Sequence, residues 1–206
     1  INYIEQNINI DKVNSALELG VGDSGGGLSL YLASKDVKVV CSDVKDVSKN
    51  VIDCHKKYPF SINIEYEIVD AKTMDSKDKF DLIIFKSMLG ISCNNYKESE
   101  AIFSQIYQSL NVGGYLVFAE NIRSTPLHMF IRNRLGWGKN HSGWNYFSYQ
   151  ELNSLCEQNF SDYRLKTKGF VGCFGRSENQ KNLLGYLDFC IFNFIIPKQY
   201  KYIWPK

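Results

Sequence analysis

Short apolar runs alternate with stretches of helical spacing from Ser15 to Ala119, and this alternation limits the folds open to the chain. The runs predict strands at Ser15–Leu19, Val37–Cys41, Ile62–Val69, Phe80–Phe85 and Tyr115–Ala119. Between them the apolar spacing predicts helices at Leu28–Ser34, Val47–Lys57 and Glu98–Leu110. Strands that alternate with helices build βαβ units, so the pattern predicts a mostly parallel sheet in an α/β domain.

The rhythm changes after Asn121. Residues 122–147 are irregular and rich in Arg, His, Gly and Trp, and we predict that they form an insertion on the substrate side. The remaining segments predict a helix, a strand, a helix and a strand, at Tyr149–Phe160, Tyr163–Val171, Leu183–Ile196 and Tyr200–Trp204. We therefore expect one domain over residues 1–206, with a doubly wound, mostly parallel seven-stranded sheet and helices on both faces.

Composition excludes few functions but disfavours two. The net charge is only +2, and Lys and Arg are scattered, which disfavours nucleic acid as a partner. The six cysteines stand singly rather than in close ligand pairs, which disfavours a zinc site and fits free thiols in a reducing compartment. Neither a signal peptide nor a run of about 18 apolar residues is visible, so the expected location is cytoplasmic.

A glycine-rich turn carries the strongest local signal for a ligand. Gly20 and Gly22 follow the first predicted strand and precede the first predicted helix, where glycine lets the backbone approach a ligand closely. Asp43, at the end of the second strand, suits hydrogen bonds to ribose hydroxyls, although it could also cap the next helix. These features alone fit a dinucleotide as well as S-adenosylmethionine (SAM).

The whole series of motifs is more specific than any member. In order, the motifs are Glu18-x-Gly20-x-Gly22, Asp43, Asp70-Ala71, Phe80-Asp81-Leu82-Ile83-Ile84 and Leu110-Asn111-Val112-Gly113-Gly114-Tyr115-Leu116-Val117. As a set they resemble the class I (Rossmann-like) SAM-dependent methyltransferase family, over roughly residues 14–172. The sequence departs from the family pattern at Ser24, where a third glycine is expected.

The resemblance implies SAM as cofactor and assigns roles around it. The turn at Gly20 and Gly22 would pack on the methionine part of SAM, and Glu18 would organise that turn. Asp43 would bind the ribose hydroxyls, and Asp70 the adenine amino group.

Two further parts of the cofactor site follow from the same resemblance. The Ala71 backbone would lie beside the adenine ring, and Lys86 would begin the Lys86-Ser87-Met88 segment that reaches the methyl group. This segment lacks the Asn/Asp-Pro-Pro-Tyr/Phe motif of nucleic-acid base methylases, and Lys86 stands where metal-dependent relatives need acids. We therefore expect neither a nucleic-acid substrate nor a metal.

Methyl transfer to a hydroxyl group favours a general base with a pKa near neutral, for which histidine is suited. His128 and His141 lie in the irregular segment and are the candidate bases, with His141 preferred, whereas His55 is interpreted as a surface residue. The aromatic stretch from Trp137 to Phe147 would either line an acceptor pocket or pack on the core. The segment Ile196–Trp204 resembles the tail of methyltransferases encoded with surface-polysaccharide enzymes, which favours a small-molecule or saccharide acceptor.

Two other functions stay open on the sequence. One is a SAM-binding partner subunit without activity, which Ser24 and the lack of an obvious base allow. The other is a nicotinamide-dependent oxidoreductase, against which Asp70-Ala71 and Gly113-Gly114 both argue. Cofactor retained by the purified protein would separate the oxidoreductase from the other two, and turnover would separate those from each other.

Overall fold

The computed structural model describes residues 1–23, 26–74, 79–123, 130, 144–167 and 177–190. The chain divides into two compact units, Ile1–Glu120 and Asn121–Lys206. The single domain expected over residues 1–206 stays a prediction. Each unit is compact by itself.

The first unit is built on a sheet of five parallel strands. They are β1 (Ser15–Leu19), β2 (Lys38–Asp43), β3 (Ile64–Ile68), β4 (Phe80–Lys86) and β5 (Leu110–Ala119). Their order across the sheet is β3-β2-β1-β4-β5. Because β1 pairs with both β2 and β4, the direction of winding reverses there, at the edge where doubly wound sheets bind ligands.

Helices and short 3₁₀ helices precede, connect and follow the strands. The helices are α1 (Asn2–Asn7), α2 (Gly27–Ala33), α3 (Lys49–His55), α4 (Leu89–Ser92), α5 (Tyr96–Ser109), α6 (Tyr149–Asn159) and α7 (Glu178–Cys190). Two 3₁₀ helices span Ile10–Lys12 and Pro59–Asn63. Sequence analysis missed α1, α4 and both 3₁₀ helices because so few residues show no clear apolar period.

Apolar side chains cover both faces of the sheet, which explains why its central strands are almost continuously apolar. On one face, alternate residues of the strands pack with α1, α2 and α3; they include Ala16, Val39, Cys41, Leu82 and Ile84. On the other face the rings of Phe85 and Phe118 stack at 5.3 Å, and Phe103 of α5 meets Phe118 edge-on at 5.7 Å.

Strand β5 begins earlier than predicted, at Leu110 instead of Tyr115. The glycine pair that indicated a break lies inside the strand, where the pairing register with β4 shifts between Phe80 and Leu82. Gly113 has φ +80°, and a Cβ at Gly114 would come within 2.9 Å of the Asn111 carbonyl oxygen. The glycines therefore permit an irregular strand entry.

The predicted count of seven strands is not confirmed, because the described part of the chain contains five. Tyr163–Thr167 form no strand, so the prediction of a strand from Tyr163 is wrong for those residues; 168–171 and Tyr200–Trp204 lie outside the described residues. The helix predicted from Leu183 begins earlier, at Glu178, and is described to Cys190. Within the described residues, no helix has both the length and the apolar character needed to cross a membrane.

Candidate active site

The first unit brings four of the predicted segments to one edge of the sheet. Gly20 follows β1, Asp43 ends β2, Asp70 follows β3 and Lys86 ends β4. Since these strands are parallel, their carboxyl ends meet at the same edge, beside the reversal between β1 and β4. This edge is the candidate active site.

The two glycines of the turn need their lack of a side chain for different reasons. Gly20 has φ +67°, and a Cβ there would lie 2.8 Å from Cγ of Met88. Gly22 has φ +64°, but among the described residues no atom lies within 4 Å of the position of its Cβ. The first glycine therefore allows close packing against the β4–α4 connection, and the second adopts a left-handed φ that residues with a Cβ rarely adopt. Ser24, the departure from the family pattern, lies outside the described residues.

Asp43 holds the turn through its carboxylate. Its Oδ2 accepts a hydrogen bond from the Gly22 amide at 2.8 Å, and its Oδ1 accepts from the Val44 amide at 2.8 Å. Asp43 does not cap the following helix, because the N-cap of α3 is Ser48. Each carboxylate oxygen has a second lone pair, so Asp43 can hold the turn and still accept from a ribose hydroxyl.

Glu18 is a buried acid beneath the same turn. It is 5% exposed and accepts hydrogen bonds from the Ser29 amide, at 2.7 Å, and from the Ser29 hydroxyl. Burial raises the pKa of Glu18, and the bonds from Ser29 act in the opposite direction. Glu18 thus ties β1 to the first turn of α2, and the organising role that the family resemblance implies for it stays a prediction.

The interpretation of His55 as a surface residue is wrong: the side chain is 1% exposed. Its Nε2 lies 2.8 Å from the Gly26 carbonyl oxygen, which can only accept, so Nε2 carries the proton. Nδ1 then accepts from the Tyr66 hydroxyl at 3.1 Å. Burial lowers the pKa of His55, while the Gly26 carbonyl acts to raise it. His55 lies in the last turn of α3, where the local sequence pattern is also that of a solvent-facing residue. The sequence therefore did not indicate this contact.

The Asp70-Ala71 pair lies in a turn after β3. Oδ1 of Asp70 accepts from the Lys72 amide at 2.9 Å, and the Asp70 carbonyl accepts from Thr73. Ala71 is buried and Asp70 is exposed. Lys72 forms an ion pair with Glu98 of α5 at 2.6 Å, and this hydrogen bond raises the pKa of Lys72 and lowers that of Glu98. The turn is thereby fixed to α5.

The segment after β4 is tightly constrained. Lys86 is exposed at the strand end, and Ser87 has a left-handed φ of +55°, which is uncommon for a residue with a Cβ. Met88 is buried against Gly20, and the Leu89 amide donates to Oε1 of Glu120 at 2.7 Å. Sequence analysis missed Glu120, which follows β5 directly.

The second unit is described only in parts. Ile122 forms a parallel bridge with Phe147, and the Arg123 amide donates to the Phe147 carbonyl at 2.7 Å. Ser148 and Glu151 form a capping box at the start of α6. The candidate bases His128 and His141 lie outside the described residues, as do Trp137 and Ile196–Trp204.

Cys41 and Cys93 are buried thiols of the first unit. Burial raises the pKa of Cys41 to about 12 and that of Cys93 to about 11, so both thiols are protonated near neutral pH. Within the described ranges, no group of three or more His, Cys, Asp or Glu side chains could hold a metal ion. The expectation of a metal-free site stays a prediction.

The parallel order β3-β2-β1-β4-β5, with its turn and acids at the carboxyl edge, defines a Rossmann-like fold of the methyltransferase type. Residues 17–118 match the family model described as a methyltransferase domain. This stretch is therefore a methyltransferase domain of the class I type, whose members use SAM as cofactor. The match lies wholly within the first unit. A search of curated protein sequences found no match.

Solved structures agree with this fold. The SAM-dependent methyltransferase SibL is similar at a TM-score of 0.62 and 16% identity, over 78% of this chain and 48% of SibL. PigF, solved with S-adenosylhomocysteine (SAH), is similar at a TM-score of 0.61 and 18% identity, over 79% of this chain and 49% of PigF. The [4+2]-cyclase SpnF is similar at a TM-score of 0.62 and 15% identity, over 97% of this chain and 69% of SpnF. The chain thus spans about half the length of two of these proteins.

Proposed function

We propose that this chain transfers a methyl group from SAM to a small-molecule or saccharide acceptor, at an oxygen atom. The observation that supports this best is the convergence of the Gly20–Gly22 turn, Asp43 and Asp70-Ala71 at the carboxyl ends of three adjacent strands. These residues match the family motif one by one, in the order and at the strand ends where the family holds SAM.

The cofactor would extend along this edge. The methionine part would lie on the Gly20–Gly22 turn, Asp43 would accept from the ribose hydroxyls, and Asp70 with the Ala71 backbone would bind adenine. Lys86, exposed at the end of β4, would lie near the methyl group. The surroundings of Gly22 are compatible with such a ligand, because among the described residues no atom lies within 4 Å of the position of its Cβ.

When bound, SAM supplies a methyl group on a sulfonium, an activated leaving group. The protein's part is to align the acceptor oxygen with the methyl carbon and to take up the proton that the hydroxyl loses. His141, and after it His128, are the proposed bases. Both lie in the connection from β5 to α6, which follows a strand that ends beside the candidate site. The proposal of a saccharide acceptor rests on the aromatic stretch from Trp137 to Phe147 and on the resemblance of Ile196–Trp204 to the tail of methyltransferases encoded with surface-polysaccharide enzymes.

A second candidate function is SAM binding without methyl transfer, as in a partner subunit. The similarity to SpnF, a [4+2]-cyclase, supports this second candidate, because in SpnF the same fold serves a reaction other than methyl transfer. The two functions make the same prediction for cofactor binding and opposite predictions for turnover.

Cofactor binding is tested by calorimetry with SAH. Asp43→Ala removes both the ribose acceptor and the bond to the Gly22 amide, so we expect a loss of roughly 1–3 kcal/mol in binding. Asp46→Ala, which changes an exposed acid on the following loop, is the control and should bind as the parent does. Equal affinities of the two variants would show that Asp43 does not hold the cofactor.

Turnover is tested by release of SAH with nucleotide sugars, lipid-linked sugars and small phenols. For an active acceptor, His141→Ala should lower turnover about a hundredfold or more, the usual range for a lost general base, and leave SAH affinity unchanged. His128→Ala is the matched comparison. Cofactor binding with no turnover on any acceptor favours the non-catalytic function, and normal turnover in both histidine variants places the base elsewhere.

A further inference from the structure

We propose that His55 is a positioning residue for the cofactor, which holds the far end of the glycine-rich loop in its binding conformation through the Gly26 carbonyl. This inference rests on the proposed function, since it gives the loop its role. The family motif assigns no role to this helix position, and the proposal stands on contacts within the first unit.

Gly26 is the fixed point where the loop enters α2. It is the N-cap of that helix and has a left-handed φ of +80°. A Cβ at this position would lie 2.4 Å from Nε2 of His55 and 2.7 Å from Cγ1 of Val51. The imidazole therefore packs directly against the backbone of Gly26, and Val51 and His55 of α3 lie close to the start of α2.

The orientation of the imidazole is determined on both sides. Nε2 donates to the Gly26 carbonyl at 2.8 Å, while Nδ1 faces the Tyr66 hydroxyl of β3 at 3.1 Å, and the two rings stack at 5.9 Å. Of the titratable groups facing His55, Tyr66 is the direct contact, and Cys41 of β2 lies next to Tyr66. Both are neutral near pH 7, because burial raises the pKa of each.

The loop and the first turn of α2 that follows it are held at three places, each by a different strand or helix. Asp43 of β2 holds the Gly22 amide, Glu18 of β1 holds the Ser29 amide, and His55 of α3 holds the Gly26 carbonyl. The first two are acceptors for amides, whereas His55 is the donor. The Gly26 carbonyl also accepts from the Leu30 amide of α2 at 3.0 Å. Loss of His55 leaves that bond in place but removes the hydrogen bond that ties α3 to the loop end preceding α2.

The test compares variants of His55 in SAH binding. His55→Leu keeps apolar bulk but lacks the donor, and we expect its SAH affinity to fall about tenfold or more. His55→Gln can place an amide nitrogen near the position of Nε2, so it should bind within a few-fold of the parent. Calorimetry is run at a temperature where thermal unfolding shows every variant to be folded.

A matched control separates positioning from general loss of stability. Val37→Ala truncates a fully buried side chain before β2, at the opposite edge of the sheet, so it should lower the unfolding temperature and leave SAH affinity unchanged. Equal affinities of His55→Leu and the parent would overturn the proposal, as would a loss in His55→Leu that His55→Gln does not restore. If the parent chain itself does not bind SAH, the proposed function fails and this inference fails with it.

Discussion

At the candidate site, Glu18 is both a structural residue and a buried ionisable group. It supports α2 through Ser29, yet it is an ionisable group with 5% exposure. The family resemblance, not the local sequence pattern, implied its organising role. That burial raises its pKa follows only from the packing of α2 over β1.

The raised pKa of Glu18 predicts a pH dependence of stability. In the folded state the carboxyl holds its proton above the ordinary value of 4.5. Its contribution to stability is therefore full below pH 4.5 and is lost as the pH rises through the folded pKa. Relative to Glu18→Gln, which cannot ionise, the parent should lose free energy of unfolding as the pH rises from 4.5 towards neutral.

Urea unfolding at a series of pH values measures this difference. Glu67→Gln, an exposed glutamate of β3, is the control, and its profile should run parallel to that of the parent. A parallel profile for Glu18→Gln as well would mean that Glu18 ionises equally in the folded and unfolded states.

Between elements, the β1 turn packs closely against the β4–α4 connection. Gly20→Ala adds a methyl group that meets Met88 at 2.8 Å, and it also strains a φ of +67°. Gly22→Ala strains a similar φ of +64° and, among the described residues, meets no atom. We expect Gly20→Ala to cost about 1–3 kcal/mol more stability than Gly22→Ala, the usual cost of overpacking.

A double-mutant cycle identifies the contact responsible. Met88→Ala removes the side chain that the added methyl group meets, so Gly20→Ala should cost less stability in that background than in the parent. Denaturant unfolding of the four proteins gives the coupling energy. A coupling energy of zero would mean that backbone strain alone accounts for the cost.

The elements of the first unit were predictable where length and period were clear. β1 has the predicted bounds, and the other four strands were found with shifted ends. The entry of β5 was misplaced because two adjacent glycines indicate a break as readily as an irregular strand. The four-residue helix α4 gave no periodic signal at all.

Across the first unit, the sequence indicated that Gly20, Asp43 and Asp70 lie at or just after strand ends, and parallel strands share one edge; the roles of these residues toward a cofactor stay predictions. Sequence analysis missed residues that reach the site from other elements. His55 meets Gly26 across 29 positions of the chain, and Leu89 meets Glu120 across 31. Such contacts depend on how helices and connections pack on the sheet, which a local pattern does not contain.

The central position of β1 also affects how the chain folds. Ala16 pairs with Leu82, so the middle of the sheet closes only after a segment far along the chain has been recruited. Each neighbour of β1 is reached through a crossover instead of a tight hairpin, and closing such long loops costs chain entropy before any contact forms. Folding rates fall as contacts become less local, so this sheet should form slowly. Until β4 arrives, one edge of β1 stays unpaired, and the nascent first half of the sheet is open to association with other chains.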